Sequence, residues 1–173
     1  MISTKKNSMG YTPLAWAALN GHEEVVRILL GQDDIDPDKP DEYDQTPLLW
    51  AASMGHEGVV KLLLGRDDVN PNKLDEFDQT PLLSAASEGH EEVVKILLER
   101  AEVNPNKPDW CGRTPLLLAA ENGHEVVARI LLGRDDVDPN KPDNDGRTPL
   151  SCAATNGYAG VMALLQSAIH RTT

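Results

Sequence analysis

Apolar positions along this chain come in two short bursts separated by a polar break, and the pair then recurs. Leu48, Leu49, Trp50, Ala51 and Ala52 form one burst; Val59, Val60, Leu62, Leu63 and Leu64 form the next. Each spans about two helical turns, and the second leaves Glu57 and Lys61 for solvent, as one face of a short helix requires. Thr46 is a good N-cap, and Pro47 follows at N1, where its missing N–H costs nothing. Gly55 suits a left-handed helix end, and Gly65 can end the second helix. Arg66 to Lys73 has no helical period and carries Asp, Asn and Pro, so it predicts an extended loop or hairpin.

The whole pattern repeats. Thr-Pro-Leu stands at 12–14, 46–48, 80–82, 114–116 and 148–150, every interval being 34 residues. Gly-His stands at 21–22, 55–56, 89–90 and 123–124, and Gly157-Tyr158 completes the series. Residues 46–79 and 80–113 are identical at 22 of 34 positions, too many for chance. Helices of about nine residues are unstable alone in water. The paired alanines at 51–52, 85–86, 119–120 and 153–154 allow close approach, so stacking of units is expected to bury the apolar faces. The expectation is a single all-α domain over 1–173. It is an elongated solenoid of five helix-turn-helix units with β-hairpin or loop fingers along one edge. In the Thr-Pro-Leu register the units are 12–45, 46–79, 80–113, 114–147 and a partial 148–173, after an entry segment 1–11. The first unit is as apolar as the inner ones, and Ala163 replaces the Lys61 type of residue in the last, so weakly capped ends are expected.

These motifs resemble the ankyrin repeat family. The family's Thr-Pro-Leu-x-x-Ala-Ala is present at Thr46–Ala52, its Gly-His-x-x-Val-Val-x-x-Leu-Leu at Gly55–Leu64, and its Asp-Val-Asn at Asp68–Asn70. The likeness covers roughly residues 8–169. Two departures stand out. The family's His after Thr-Pro-Leu is here Ala15, Leu49, Leu83, Leu117 and Ser151, and the repeat is 34 residues rather than 33. The Trp16 and Trp50 variant with Asn-Pro-Asn-Lys fingers resembles arrays common in fungal proteins, some of them parts of larger receptors.

Charge narrows the function. The formal net charge is −12, and a nucleic acid or an anionic membrane needs a dense Lys/Arg surface. Most of that charge lies in the fingers: segments 31–45, 65–79, 99–113 and 133–147 carry −6, −3, 0 and −2. Cys111 and Cys152 are too few for a disulfide framework and fit reduced thiols in a cytosolic or nuclear setting. The first seven residues lack the apolar stretch of a signal peptide, and no run approaches a membrane span.

Sites of chemistry are weak. His22, His56, His90 and His124 recur once per unit, but packed helices lie about 8–10 Å apart, too far for equivalent histidines to share a zinc ion. Each is expected to hydrogen-bond nearby loop backbone. Asp34, Asp36 and Asp38 resemble the start of a calcium loop, yet Lys39 and Gln45 stand where its Gly and Glu belong. Glu23-Glu24 and Glu91-Glu92 sit where acids complement a helix N-terminus. No nucleotide-binding or nucleophile motif occurs. The expectation is therefore no enzyme, no cofactor and no metal.

The informative variation lies just before each Thr-Pro-Leu. The tips read Glu42-Tyr43-Asp44-Gln45, Glu76-Phe77-Asp78-Gln79, Trp110-Cys111-Gly112-Arg113 and Asn144-Asp145-Gly146-Arg147 within a near-constant frame. Aromatic residues and Arg are common interface anchors, although each ring could instead pack on the next finger. In the resembled family recognition commonly uses finger tips and the adjacent first-helix face. Carried over, that surface comprises Glu42, Tyr43, Gln45, Met54, Glu76, Phe77, Gln79, Glu88, Trp110, Arg113 and Glu121, taken as matching repeat positions that stacking aligns along one side. The expected function is a monomeric protein-interaction scaffold for a partner protein or peptide with a basic surface. The alternative is a consensus-like or engineered array with no ligand of its own.

Overall fold

The computed structural model describes Asn7 and residues 10–172; most of the entry segment 1–11 lies outside the described residues. The described residues form five helix pairs: α1 (Pro13–Leu19) with α2 (Glu23–Leu30), α3 (Pro47–Ser53) with α4 (Glu57–Leu64), α5 (Pro81–Glu88) with α6 (Glu91–Leu98), α7 (Pro115–Glu121) with α8 (Glu125–Leu132), and α9 (Pro149–Asn156) with α10 (Ala159–Thr172). First helices stack in one row, α1 on α3 on α5 on α7 on α9, and second helices stack in a parallel row.

The predicted caps hold. The hydroxyls of Thr12, Thr46, Thr80, Thr114 and Thr148 accept from the backbone N–H three residues on, at 3.0 to 3.2 Å. Gly55 takes the left-handed conformation, φ +73°. Gly65 ends α4 differently, in a right-handed helical conformation with φ −70°. The core is a continuous layer of Leu, Val, Ile and Ala, with Leu48, Leu49, Leu63, Leu82, Leu97, Leu116 and Leu131 essentially inaccessible.

Of the two finger forms expected, loop or hairpin, the loop is the one present: among the described residues the fingers contain no strand. Each tip is a tight loop closed by a backbone bond from the N–H of Asp41, Asp75, Asp109 or Asp143 to the carbonyl four residues on, and in the last three the N–H three residues on also donates back to the Asp carbonyl. The physical reason lies in the aspartate. One carboxylate oxygen of each accepts the N–H groups two and four residues ahead, at 2.8 to 3.1 Å. These side-chain bonds take the donors that a strand ladder would need. Asn7 Oδ1 likewise accepts the N–H of Tyr11, four residues on, at 3.0 Å.

The first pair shows the weak cap that was expected, and the last pair does not. Val25 and Ile28 on α2 are 46% and 52% exposed, whereas Val59 and Ile96 at the same registers are buried against the preceding pair. The last pair is better finished. Ser151 replaces the buried leucine of the inner units and completes a capping box with Thr148, and α10 runs to 14 residues.

Candidate protein-binding surface

Three of the four repeat-matched histidines bridge successive units. Nε2 of His56, His90 and His124 donates to the carbonyls of Leu19, Ser53 and Ser87, at 3.0, 2.8 and 2.8 Å. The acceptor is thus the end of the preceding unit's first helix, not nearby loop backbone as expected. Each ring lies against the left-handed glycine of that unit. A Cβ on Gly89 would stand 2.5 Å from His124 Nδ1. Gly89→Ala is therefore expected to cost about 1–2 kcal/mol, from the left-handed backbone alone, and to displace the His124 bond. Urea unfolding measures the cost; an unchanged midpoint would contradict the bridging role. Tyr158 replaces the histidine in the last unit and packs on Gly123 in the same way. Among the described residues no group of three or more His, Cys, Asp and Glu side chains is placed to hold a metal ion, and no helix is long and apolar enough to cross a membrane.

The finger tips present aromatic side chains outward: Tyr43 is 52% exposed, Phe77 43% and Trp110 64%. Tyr43 and Phe77 share a register, but Trp110 stands one position earlier, in the register of Glu42 and Glu76. It still reaches the same row. The Trp110 N–H donates to the Phe77 carbonyl at 3.2 Å, and their ring centroids lie 6.0 Å apart. Phe77 thus both packs on the next finger and faces solvent. Met54 and Glu88 are exposed at one register on the first-helix row, whereas Glu121 again stands one position early. Glu42 and Glu76 are exposed on the same tips, the Glu42 side chain lying over Gly10.

Other expected contact residues are occupied internally. The Arg113 guanidinium donates to Asp109 Oδ2 through Nε at 2.8 Å and also lies 2.7 Å from it through a terminal nitrogen. Glu121 lies 3.8 Å from Arg113 and 3.0 Å from Arg147. Gln45 and Gln79 are half-buried, and Gln45 reaches Asp75 at 3.4 Å. Arg147 repeats the Arg113 arrangement on Asp143, whose side chain is 1% exposed. Burial works against the Asp143 carboxylate, but the Arg147 N–H and guanidinium outweigh it and hold the group below the usual carboxylate range. Burial pushes the Cys152 thiol up, which makes it a poor nucleophile.

Two features escaped the sequence reading. The first is the buried aspartate of each finger, recurring at 41, 75, 109 and 143, whose 34-residue spacing was a usable signal. The second is an aromatic cluster beside the first finger. Tyr11 lies 5.5 Å from Trp16 and 5.7 Å from Trp50 between ring centroids. Trp50 Nε1 donates to Asp41 Oδ2 at 2.7 Å, and Trp16 is 40% exposed on the first-helix row. These rings extend the exposed aromatic surface toward the N-terminal end.

The charge distribution has a structural cause. Arg66, Arg100 and Arg134 neutralise the acid two residues on, Asp68, Glu102 and Asp136, within 2.8 to 3.1 Å. Each also donates to the carbonyl of the preceding second helix, at Leu30, Leu64 or Leu98. Gln32 stands at this register in the first finger and brings no positive charge to Asp34. The first finger therefore keeps the largest formal negative charge, −6 over residues 31–45, the segment that carries Tyr43.

No curated protein matches this chain. The family model described as ankyrin repeats (3 copies) matches it over residues 1–75, 34–109, 67–143 and 85–172. With helix pairs stacked in register, left-handed glycines between the helices and matches that overlap along the chain, this protein belongs to the ankyrin repeat family.

Proposed function

We propose that the chain is a monomeric scaffold that recognises a basic peptide or protein surface along its first three finger tips and the exposed edge of the first helices. Ankyrin repeats are generally protein-interaction modules, and their fold is typically non-enzymatic. The observation that carries the reading is the exposed row Tyr43, Phe77 and Trp110 flanked by Glu42 and Glu76. Large rings supply contact area at low entropic cost, and the acids supply complementarity to a cationic partner. In this reading residues 1–173 act as one domain, with units 12–45, 46–79, 80–113, 114–147 and a partial 148–173 after the entry segment 1–11. The free thiols Cys111 and Cys152 accord with a reducing compartment, cytosolic or nuclear. A role as the recognition part of a larger receptor is compatible with this surface.

The test is a Lys/Arg-rich peptide selected from a random display library against the intact chain. Its association rate is expected to fall steeply as salt is raised, because the Debye length shortens from about 10 Å at 0.1 M to about 3 Å at 1 M. Addition of calcium should change little. A rate that stays flat across that salt range would remove the steering argument. The near-identity of units 46–79 and 80–113 favours one second reading, an array without its own ligand. Failure of any library member to enrich would favour it.

A further inference from the structure

An amide ladder runs between successive finger loops, and one rung is chemically different. Asn72 Oδ1 accepts the N–H of Asn104 at 3.4 Å, while its Nδ2 donates to the Glu102 carbonyl at 2.8 Å. Asn106 does the same one unit later: Oδ1 accepts the Asp138 N–H at 3.1 Å, and Nδ2 donates to the Asp136 carbonyl. The first rung holds Asp38. Its Oδ2 accepts the N–H of Asn70 at 2.8 Å, as the amide oxygens do. Its other oxygen, Oδ1, is buried with no hydrogen-bond partner. The register places that oxygen where the later rungs put an NH2 group, toward the Asp68 carbonyl. A carboxylate there sets two acceptors against each other; a carboxylic acid supplies the missing donor.

We propose that Asp38 is a proton-dependent clasp between the first and second units, closed when its carboxyl group is protonated and donates to the Asp68 carbonyl. The surroundings support this. Burial raises the Asp38 carboxyl above its ordinary value of 3.8, and the nearby Asp36 and Asp68 carboxylates add to that. The Asn70 N–H and the Lys73 ammonium oppose it without reversing it. Lys73 donates to the Asp38 backbone carbonyl at 3.1 Å rather than to the carboxyl, and Arg66 is held by Asp68. The fold therefore binds this proton more tightly than the unfolded chain does. The contribution to stability is present at low pH, is lost as pH rises from 3.8 through the raised value, and stays lost above it. The clasp joins the two units that carry Trp16, Trp50 and Tyr43, but it does not depend on what that surface binds.

The experiment compares the intact protein with Asp38→Asn, which restores the side chain of the other rungs, by urea unfolding across pH 4 to 7. The variant's midpoint should exceed the wild-type midpoint at pH 7, and the gap should shrink as pH falls. Other carboxylates lose their native bonds in acid, but they do so in both proteins and cancel. The reverse change, Asn72→Asp, should introduce a second midpoint loss that is relieved by acid. Carboxyl NMR should find Asp38 titrating above 3.8. A midpoint gap that is absent or constant with pH overturns the proposal. So does a wild-type midpoint that rises with calcium at neutral pH when the variant's does not, because that assigns the buried oxygen to a cation rather than a proton.

Discussion

Leu63→Ala should lower the unfolding free energy by about 2–5 kcal/mol, a large part of the roughly 5–15 kcal/mol that holds a domain folded. Leu63 is fully buried in α4, in the continuous apolar layer that joins all five pairs. The loss has two components: transfer of the removed atoms and the cavity they leave. Relaxation is limited because the backbones are already close, with Ala51 and Ala52 inaccessible on the facing helix of the same unit. In a repeat array each unit is held only by its neighbours. Damage in the second unit should therefore also loosen the attachment of α1 and α2. Urea unfolding followed by circular dichroism should show an earlier midpoint with native helix content in water, and hydrogen exchange should show the first pair opening first. A loss below about 1 kcal/mol would mean that the stack does not pack as described.

The replacement of Tyr43, Phe77 and Trp110 together by Ala should weaken peptide binding by at least about 2 kcal/mol, or roughly 30-fold in Kd, with little effect on the fold. In the proposed docking mode the contacts come from side chains that are about half exposed in the free protein. The finger's shape depends on other atoms: the buried Asp41, Asp75 and Asp109 that organise each tip, and the backbone bond from Trp110 to Phe77. Alanine leaves all of these in place. The Phe77–Trp110 ring contact is lost, worth about 0.5–1.5 kcal/mol for a good aromatic pair, together with the partial packing of each ring on its own finger. Calorimetry of binding and a thermal melt of the same variant separate the effects. Full affinity in the folded variant would exclude the finger tips as the docking surface, and an unfolded variant would make the rings structural.

The sequence alone determined the helical units, their 34-residue register and their need to stack. Those features rest on local chemistry: Thr caps, Pro at N1, left-handed glycines, and apolar bursts too short to survive singly. Exposure of Tyr43 and Phe77 at loop tips was also legible, because a long ring on a polar loop has no helix face to enter. Tertiary structure decided which polar groups are free and which are spent. Arg113 looked like an anchor, but its guanidinium belongs to Asp109. His56, His90 and His124 turned out to bridge to the unit before them, about 37 residues back. Asp41 and its equivalents read as surface charge, yet they are nearly inaccessible and hold each tip in a loop rather than a hairpin. Asp38 differs from Asn72 by one atom, and only the rung above it shows that this atom lacks a proton donor. Helix formation depends on neighbours a few residues apart. The fate of a polar side chain depends on partners one repeat away, which only the stacking angle and loop path bring within hydrogen-bond reach.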